Sequence, residues 1–140
     1  MKFMEVSNND INFVFTSEKD KIYINCDEEQ INRVLVNLIK NSIESIIEKC
    51  KINADFTKKI SIDINEKDNY IYIIIFDNGA GFLEKNLKNI VKPYFTTKTK
   101  GTGLGLAIVN KIINDHDGKI LFIPQKDGAK IEINLPKNVS

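Results

Sequence analysis

The apolar positions change period along the chain, and each change marks an element. Between Asp27 and Lys49, Ile31, Val34, Leu35, Leu38, Ile39, Ile43, Ile46 and Ile47 recur at helical spacing. Projected at about 100° per residue they spread over more than half the circumference, which predicts a long helix buried broadly rather than along one stripe. Its polar remainder is Arg33, Asn37, Lys40, Asn41, Glu44 and Glu48, and Asn37 and Asn41 lie one turn apart on one face. Asp27, with Gln30 three positions on, fits a helix N-cap.

Elsewhere the period is two. Ile11 to Phe15 and Lys21 to Ile24 flank the polar run TSEKD and predict a hairpin; Met1 to Asp10 carries little pattern and reads as an entry segment. Ile60, Ile62 and Ile64 alternate as a half-buried strand, NEKDN turns the chain, and Tyr70 to Phe76 follows. In YIYIIIF both faces are apolar, which predicts a central strand in a covered sheet. Phe82 to Val91 holds a short apolar pattern that Pro93 terminates. Leu104, Ala107, Ile108 and Ile112 predict a second helix to about Asn114, after which Ile120 to Ile123 and Ala129 to Leu135 flank PQKDG as a closing hairpin. Strands joined by hairpins and one long crossover, with helices on one side, describe an α/β (α+β) two-layer sandwich with a mixed, mostly antiparallel sheet.

Composition adds limits. The 140 residues suit a single domain, and 42% hydrophobic with 28% charged residues is ordinary for a globular chain. A formal net charge of +1 disfavours nucleic acid and gives no electrostatic reason for direct membrane contact. No apolar run approaches membrane-spanning length and Met1 to Asp10 does not resemble a signal peptide, so a cytoplasmic location is expected. Cys26 and Cys50 lack metal-ligand spacing and read as reduced and structural.

Three stretches carry candidate chemistry. Thr96 to Asn110, TTKTKGTGLGLAIVN, runs from a cationic, glycine-broken segment into a helix, delivering backbone N–H groups to a helix N-terminus. With Lys98 and Lys100 nearby, such a segment suits a polyphosphate. It lacks the Gly-Lys-Ser/Thr end of a P-loop and, with Leu106 in place of a third glycine, the dinucleotide fingerprint as well. Asp77 ends the apolar strand at DNGAG, where a carboxylate is costly unless hydrogen-bonded. Asn37 and Asn41 can be half-buried and still reach a ligand. Each also has a plainer reading: a surface loop before a core helix, a turn aspartate bonding nearby N–H groups, and a solvated amide stripe.

In this order the stretches resemble one superfamily. NLIKNSIESI (Asn37 to Ile46) is similar to the N box, DNGAGF (Asp77 to Phe82) to the first glycine box, PYFTTK (Pro93 to Lys98) to the F box and GTGLGL (Gly101 to Leu106) to the second glycine box of sensor histidine kinase ATP-binding domains. These share the Bergerat nucleotide-binding fold with type II topoisomerases, heat-shock chaperones and mismatch-repair ATPases. The resemblance spans about Asp27 to Leu135, and KNSIES with the PYFTTKTKGTGLGL lid most resembles nitrogen-regulation-type kinases.

The resemblance implies Mg-ATP as ligand, with Asn41 on the Mg²⁺ and Asn37 beside it as the catalytic pair. It implies that Asp77 accepts from the adenine amino group, and that Gly79 and Gly81 let the strand end pass close to base and sugar. Thr96, Thr97, Lys98, Lys100, Gly101, Thr102 and Gly103 become an ATP lid expected to be disordered without nucleotide. Phe95 packs that lid, and Gly103, Leu104, Gly105 and Leu106 cradle phosphates. In hydrolytic relatives a Glu stands where this chain has Asn37, and an amide is no general base, so slow hydrolysis and phosphoryl transfer to protein are expected. The acceptor would be a histidine on a separate dimerisation domain of the same protein, with a response regulator downstream. The chain would be the catalytic half of a larger sensor kinase, monomeric and nearly inactive alone. His116, in NDHDGKI, matches a structural His-Gly-Gly of the family with Asp117 in place of the first Gly, and is read as a helix-terminal residue. Glu44 departs from the Lys or Arg common there. An anti-sigma-type serine kinase and a non-catalytic nucleotide switch are the competing readings.

Overall fold

The computed structural model describes residues 11–17, 28–53, 55–81 and 105–137. In chain order these form β1 (Asn12–Ser17), α1 (Glu28–Ile52), β2 (Lys59–Lys67), β3 (Tyr70–Asp77), α2 (Gly105–Asp115), β4 (Lys119–Gln125) and β5 (Gly128–Pro136). The strands make one five-stranded sheet in the order β1-β2-β3-β5-β4. β1 runs parallel to β2, and the other three pairings are antiparallel. This is the mixed, mostly antiparallel two-layer sandwich expected from the pattern.

Two hairpins and two crossovers connect it, one crossover more than the pattern suggested. Asp68 and Asn69, at φ 53° and 66°, make the tight β2–β3 turn with both central residues left-handed. Lys126 and Asp127 join β4 to β5, whose register closes at Gln125 opposite Gly128. The crossovers are β1–α1–β2 and the return from β3 through α2 to β4. Because β5 lies between β3 and β4 and is antiparallel to both, β3 and β4 run the same way. The expected first hairpin is only half within the described residues: its first strand is β1, extended through Thr16 and Ser17, and Lys21 to Ile24 lie outside them. β1 takes β2 as its parallel neighbour.

The core lies between the helices and one face of the sheet. Val34, Leu35, Leu38 and Ile39 of α1 and Val109, Ile112 and Ile113 of α2 meet Ile62, Ile71, Ile73, Ile75, Ile131, Ile133 and Leu135. A second cluster, Ile11, Ile46 and Ile60, closes the β1 end. Burying each such side chain contributes about 1.5–3 kcal/mol. The exposed pairs Lys51–Glu48 and Lys111–Asp115 contribute at most about 1 kcal/mol each, so the apolar contacts hold the layers together.

Three details of the apolar pattern are corrected. Ile47 is 41% exposed, because α2 and the sheet cover one sector of α1 and Ile47 lies about 100° round the helix from the buried Ile46. In α2 the buried face is Val109, Ile112 and Ile113, whereas Ile108 is 36% exposed. β3 is central as expected, but both described helices pack on one face of the sheet; Tyr72, Ile74 and Phe76 on the other are half-buried.

α2 ends in a tight cap. Gly118 N–H donates to Ile113 O at 2.9 Å and Asp117 N–H to Asn114 O at 3.0 Å, with Asp117 at φ 58°. That is the paired bonding of a Schellman end, with an aspartate in the left-handed position glycine usually holds. His116 belongs to the same cap: its N–H donates to Ile112 O at 3.1 Å and its ring Nδ1 lies 2.8 Å from that carbonyl. The left-handed conformation costs a non-glycine residue about 1 kcal/mol or more. Asp117→Gly is therefore expected to raise the thermal unfolding midpoint by a few degrees, as about 1 kcal/mol should in a domain of this size. An unchanged or lowered midpoint in a calorimetric melt would contradict the strain assigned to Asp117.

Candidate functional site

The site forms where β3 leaves the sheet. Its last residue, Asp77, is 3% exposed, and such burial of a carboxylate requires donors. One is Gly79 N–H, which donates to Asp77 Oδ1 at 2.9 Å and so folds the chain back in a tight turn. This is the turn-aspartate geometry of the plainer reading, and it aims the carboxylate inward rather than into solvent.

The turn is clamped on three sides. Toward α1, Ala80 N–H donates to Ser45 O at 3.1 Å and Gly81 N–H to Ser45 Oγ at 3.3 Å, while Lys49 Nζ donates to Asn78 O at 2.9 Å. A Cβ on Gly79 would lie 2.5 Å from Ser45 C and Oγ and 2.6 Å from Ile46 N, so only glycine lets the turn reach the helix backbone. Toward β2, Lys59 N–H donates to Asn78 Oδ1 at 2.8 Å and the Asn78 amide bonds Thr57 O. Toward β5, Gly128 at φ 155° passes so close that a Cβ there would lie 1.9 Å from Asp77 O. Lys49 also sits 4.5 Å above the Phe56 ring, which fixes the direction of its long side chain.

Ser45 links this turn to the amide face. Asn37, Asn41 and Ser45 succeed one another at four-residue intervals, so they line one side of α1. Asn37 and Asn41 are both half-buried, as expected for amides bordering an apolar sector. Gly105 and Leu106 form the first turn of α2, and Leu106 packs against the core that α1 shares. Asn37, Asn41, Asp77, Gly79, Gly81, Gly105 and Leu106 thus lie on elements that pack together. Phe95, Thr96, Thr97, Lys98, Lys100, Gly101, Thr102, Gly103 and Leu104, and with them the lid, lie outside the described residues.

Gly79 and Gly81 also answer to contacts within the protein. Gly79 is required by α1, and a Cβ on Gly81, at φ 80°, would lie 2.7 Å from Gly128 O, so both glycines are demanded by protein contacts whatever ligand approaches. Sequence reasoning also missed Ser45, Asn78, Lys49 and Gly128. The helical repeat already put Ser45 one turn beyond Asn41, and that spacing was the available signal.

The wider comparisons agree with this geometry. The family described as histidine kinase-, DNA gyrase B-, and HSP90-like ATPase matches residues 26–139. Sporulation kinase A of Bacillus subtilis is 41% identical over 128 residues, covering 89% of this chain and 20% of that protein. A putative NtrY-like sensor histidine kinase of Rickettsia felis is 39% identical over 130 residues, covering 91% and 20%. The chain therefore spans about a fifth of the length of these relatives. Among solved structures, the nucleotide-free catalytic domain of histidine kinase ThkA matches with a TM-score of 0.79 at 32% identity, covering 91% of this chain and 80% of that one. The same kinase in complex with response regulator TrrA matches at 0.74 and 29% identity, covering 91% and 34%. The chain belongs to the histidine kinase-, DNA gyrase B- and HSP90-like ATPase family, among its histidine kinase catalytic domains.

Proposed function

We propose that the chain is the ATP-binding catalytic domain of a two-component sensor histidine kinase, transferring the γ-phosphoryl group of ATP to a histidine nitrogen on a separate dimerisation domain and releasing ADP. The observation that carries the reading is Asp77, buried at the end of the central strand and held by Gly79 on a turn bonded to the helix bearing Asn37 and Asn41. A carboxylate offers about four acceptor sites, enough to hold its own turn and accept from the adenine amino group. Guanine presents a carbonyl at that edge and is repelled, which selects ATP over GTP.

The amide face serves the phosphate side. Among the described residues no group of three His, Cys, Asp or Glu side chains is placed to hold a metal ion. A half-buried amide oxygen such as that of Asn41 suits Mg²⁺, which takes few ligands from protein and the rest from water and phosphate. The ion, when bound, would neutralise phosphate charge. Asn37 and Asn41 would orient the phosphates, Gly105 and Leu106 would offer N–H groups at the start of α2, and Lys98 or Lys100 would add positive charge. With an amide at Asn37, water meets no carboxylate base there, so hydrolysis is slow and the phosphoryl group waits for a protein acceptor.

The ThkA–TrrA complex supports a response regulator as the downstream partner of the whole protein. No helix among the described residues is long and apolar enough to cross a membrane. As the catalytic part of a sensor kinase, the domain would act in the cytoplasm. His116, tied into the α2 cap, serves structure and is not the acceptor.

Mixed with the histidine-bearing domain and γ-labelled ATP, the chain is expected to place acid-labile label on that domain; nucleotide binding without any such label rejects the kinase reading. Asp77→Asn exchanges a charged acceptor for an amide, and charged hydrogen bonds are worth about 1.5–3 kcal/mol. ATP affinity in a calorimetric titration is then expected to fall roughly 10- to 100-fold while GTP affinity holds or rises. Equal losses for both nucleotides would contradict base recognition by Asp77.

A further inference from the structure

α1 carries two neighbouring serines of opposite environment. Ser42 is 2% exposed on the core side, and its Oγ has no hydrogen-bond partner among the described residues. Ser45 is half-buried on the amide side and is the point at which the helix grips the Asp77–Gly81 turn. Its carbonyl accepts from Ala80 and its hydroxyl from Gly81. The carbonyl bond would survive any substitution, whereas the hydroxyl bond is specific to this side chain.

We propose that Ser45 is a positioning residue for nucleotide recognition: by accepting from Gly81 N–H it locks the base-reading turn to the helical face that carries Asn37 and Asn41. This rests on the reading of the site given above. Its physical basis is a lever between two halves of one ligand. The Asp77 carboxylate is oriented by Gly79 N–H, and Gly79 is followed directly by Ala80 and Gly81, the two residues Ser45 holds. One turn of α1 separates Ser45 from Asn41 and two separate it from Asn37. A nucleotide spanning base pocket and phosphate side therefore meets a spacing fixed at Ser45. Release of Gly81 would leave the turn attached to α1 through Ala80 and Lys49 and to β2 through Asn78, but would loosen its Gly81 end, and the base would be read less sharply. A Cβ on Gly79 would meet Ser45 Oγ as well as its backbone, so removal of the oxygen opens space beside the seat of the turn.

The test compares Ser45→Ala, Ser45→Thr and Ser42→Ala in the full chain. ADP and GDP are titrated calorimetrically with magnesium present, and melting is recorded without nucleotide. Loss of one hydrogen bond predicts ADP affinity about three- to tenfold weaker in Ser45→Ala, with the ADP-to-GDP preference reduced by a similar factor. The Gly81 amide should exchange faster, and the melting midpoint should fall by no more than a few degrees. Ser45→Thr, which keeps the hydroxyl, is expected to restore the preference. Ser42→Ala removes an unpartnered buried oxygen and is expected to leave binding unchanged. If Ser45→Ala does not fold, Ser45→Cys, close in volume and a weak acceptor, should show the same loss. Wild-type affinity and preference in Ser45→Ala overturn the proposal while leaving the function intact, as does a lower melting point with no change in preference. Failure of the wild-type chain to bind ADP overturns both.

Discussion

The structure depends on a backbone-to-backbone approach between the end of the central strand and the long helix. Gly79 lies against Ser45 and Ile46 with no room for a Cβ, which lets Ala80 and Gly81 donate to Ser45. Gly128 presses the same turn from the other side, against Asp77 O. Between helix and hairpin, a carboxylate that water would otherwise claim is kept at 3% exposure with its orientation set. Both contacts reach the neighbouring backbone directly, so the position of Asp77 is inherited largely from the packing of α1 on β3 and of β5 beside β3.

That inheritance explains the division of labour. The isoleucine-rich layers supply most of the stabilising free energy and fix the distance between helix and sheet. The polar ties at the turn are worth about 1 kcal/mol each and add little to that total. They decide instead which way the strand end faces and how it is spaced from Asn41. Stability and recognition thus reside in different contacts, and a substitution such as Ser45→Ala can weaken one while sparing the other. Lys49 illustrates the overlap: its ammonium serves the turn through Asn78 O, and its direction is set by Phe56.

Much of this was legible in the sequence because periodicity reports the local face of an element. The strands β2, β3, β4 and β5, both helices, the central place of β3 and the half-buried Asn37 and Asn41 all follow from alternation or helical spacing. Periodicity does not report neighbours. The parallel pairing of β1 with β2 and the second crossover depend on which edges meet, and Ile47 and Ile108 are apolar without being covered. The bond from Gly81 to Ser45 joins residues 36 positions apart, and no local pattern encodes it. Gly128 reads as an ordinary hairpin glycine until the fold brings Asp77 against it. The Asp77 motif was found because its residue types are unusual together, whereas Ser45 is a common residue whose meaning comes from its partner.

The most direct test of this account alters Gly79, the residue that permits the approach. Calorimetric titration of Gly79→Ala with ADP and magnesium, beside the wild-type chain and with circular dichroism to follow the sheet, isolates the contact. The account predicts that the wild type binds, while the variant retains its secondary structure, melts earlier by an amount equivalent to about 1–3 kcal/mol of overpacking, and loses at least tenfold in affinity. A Gly79→Ala protein that binds ADP as tightly as the wild type would contradict it.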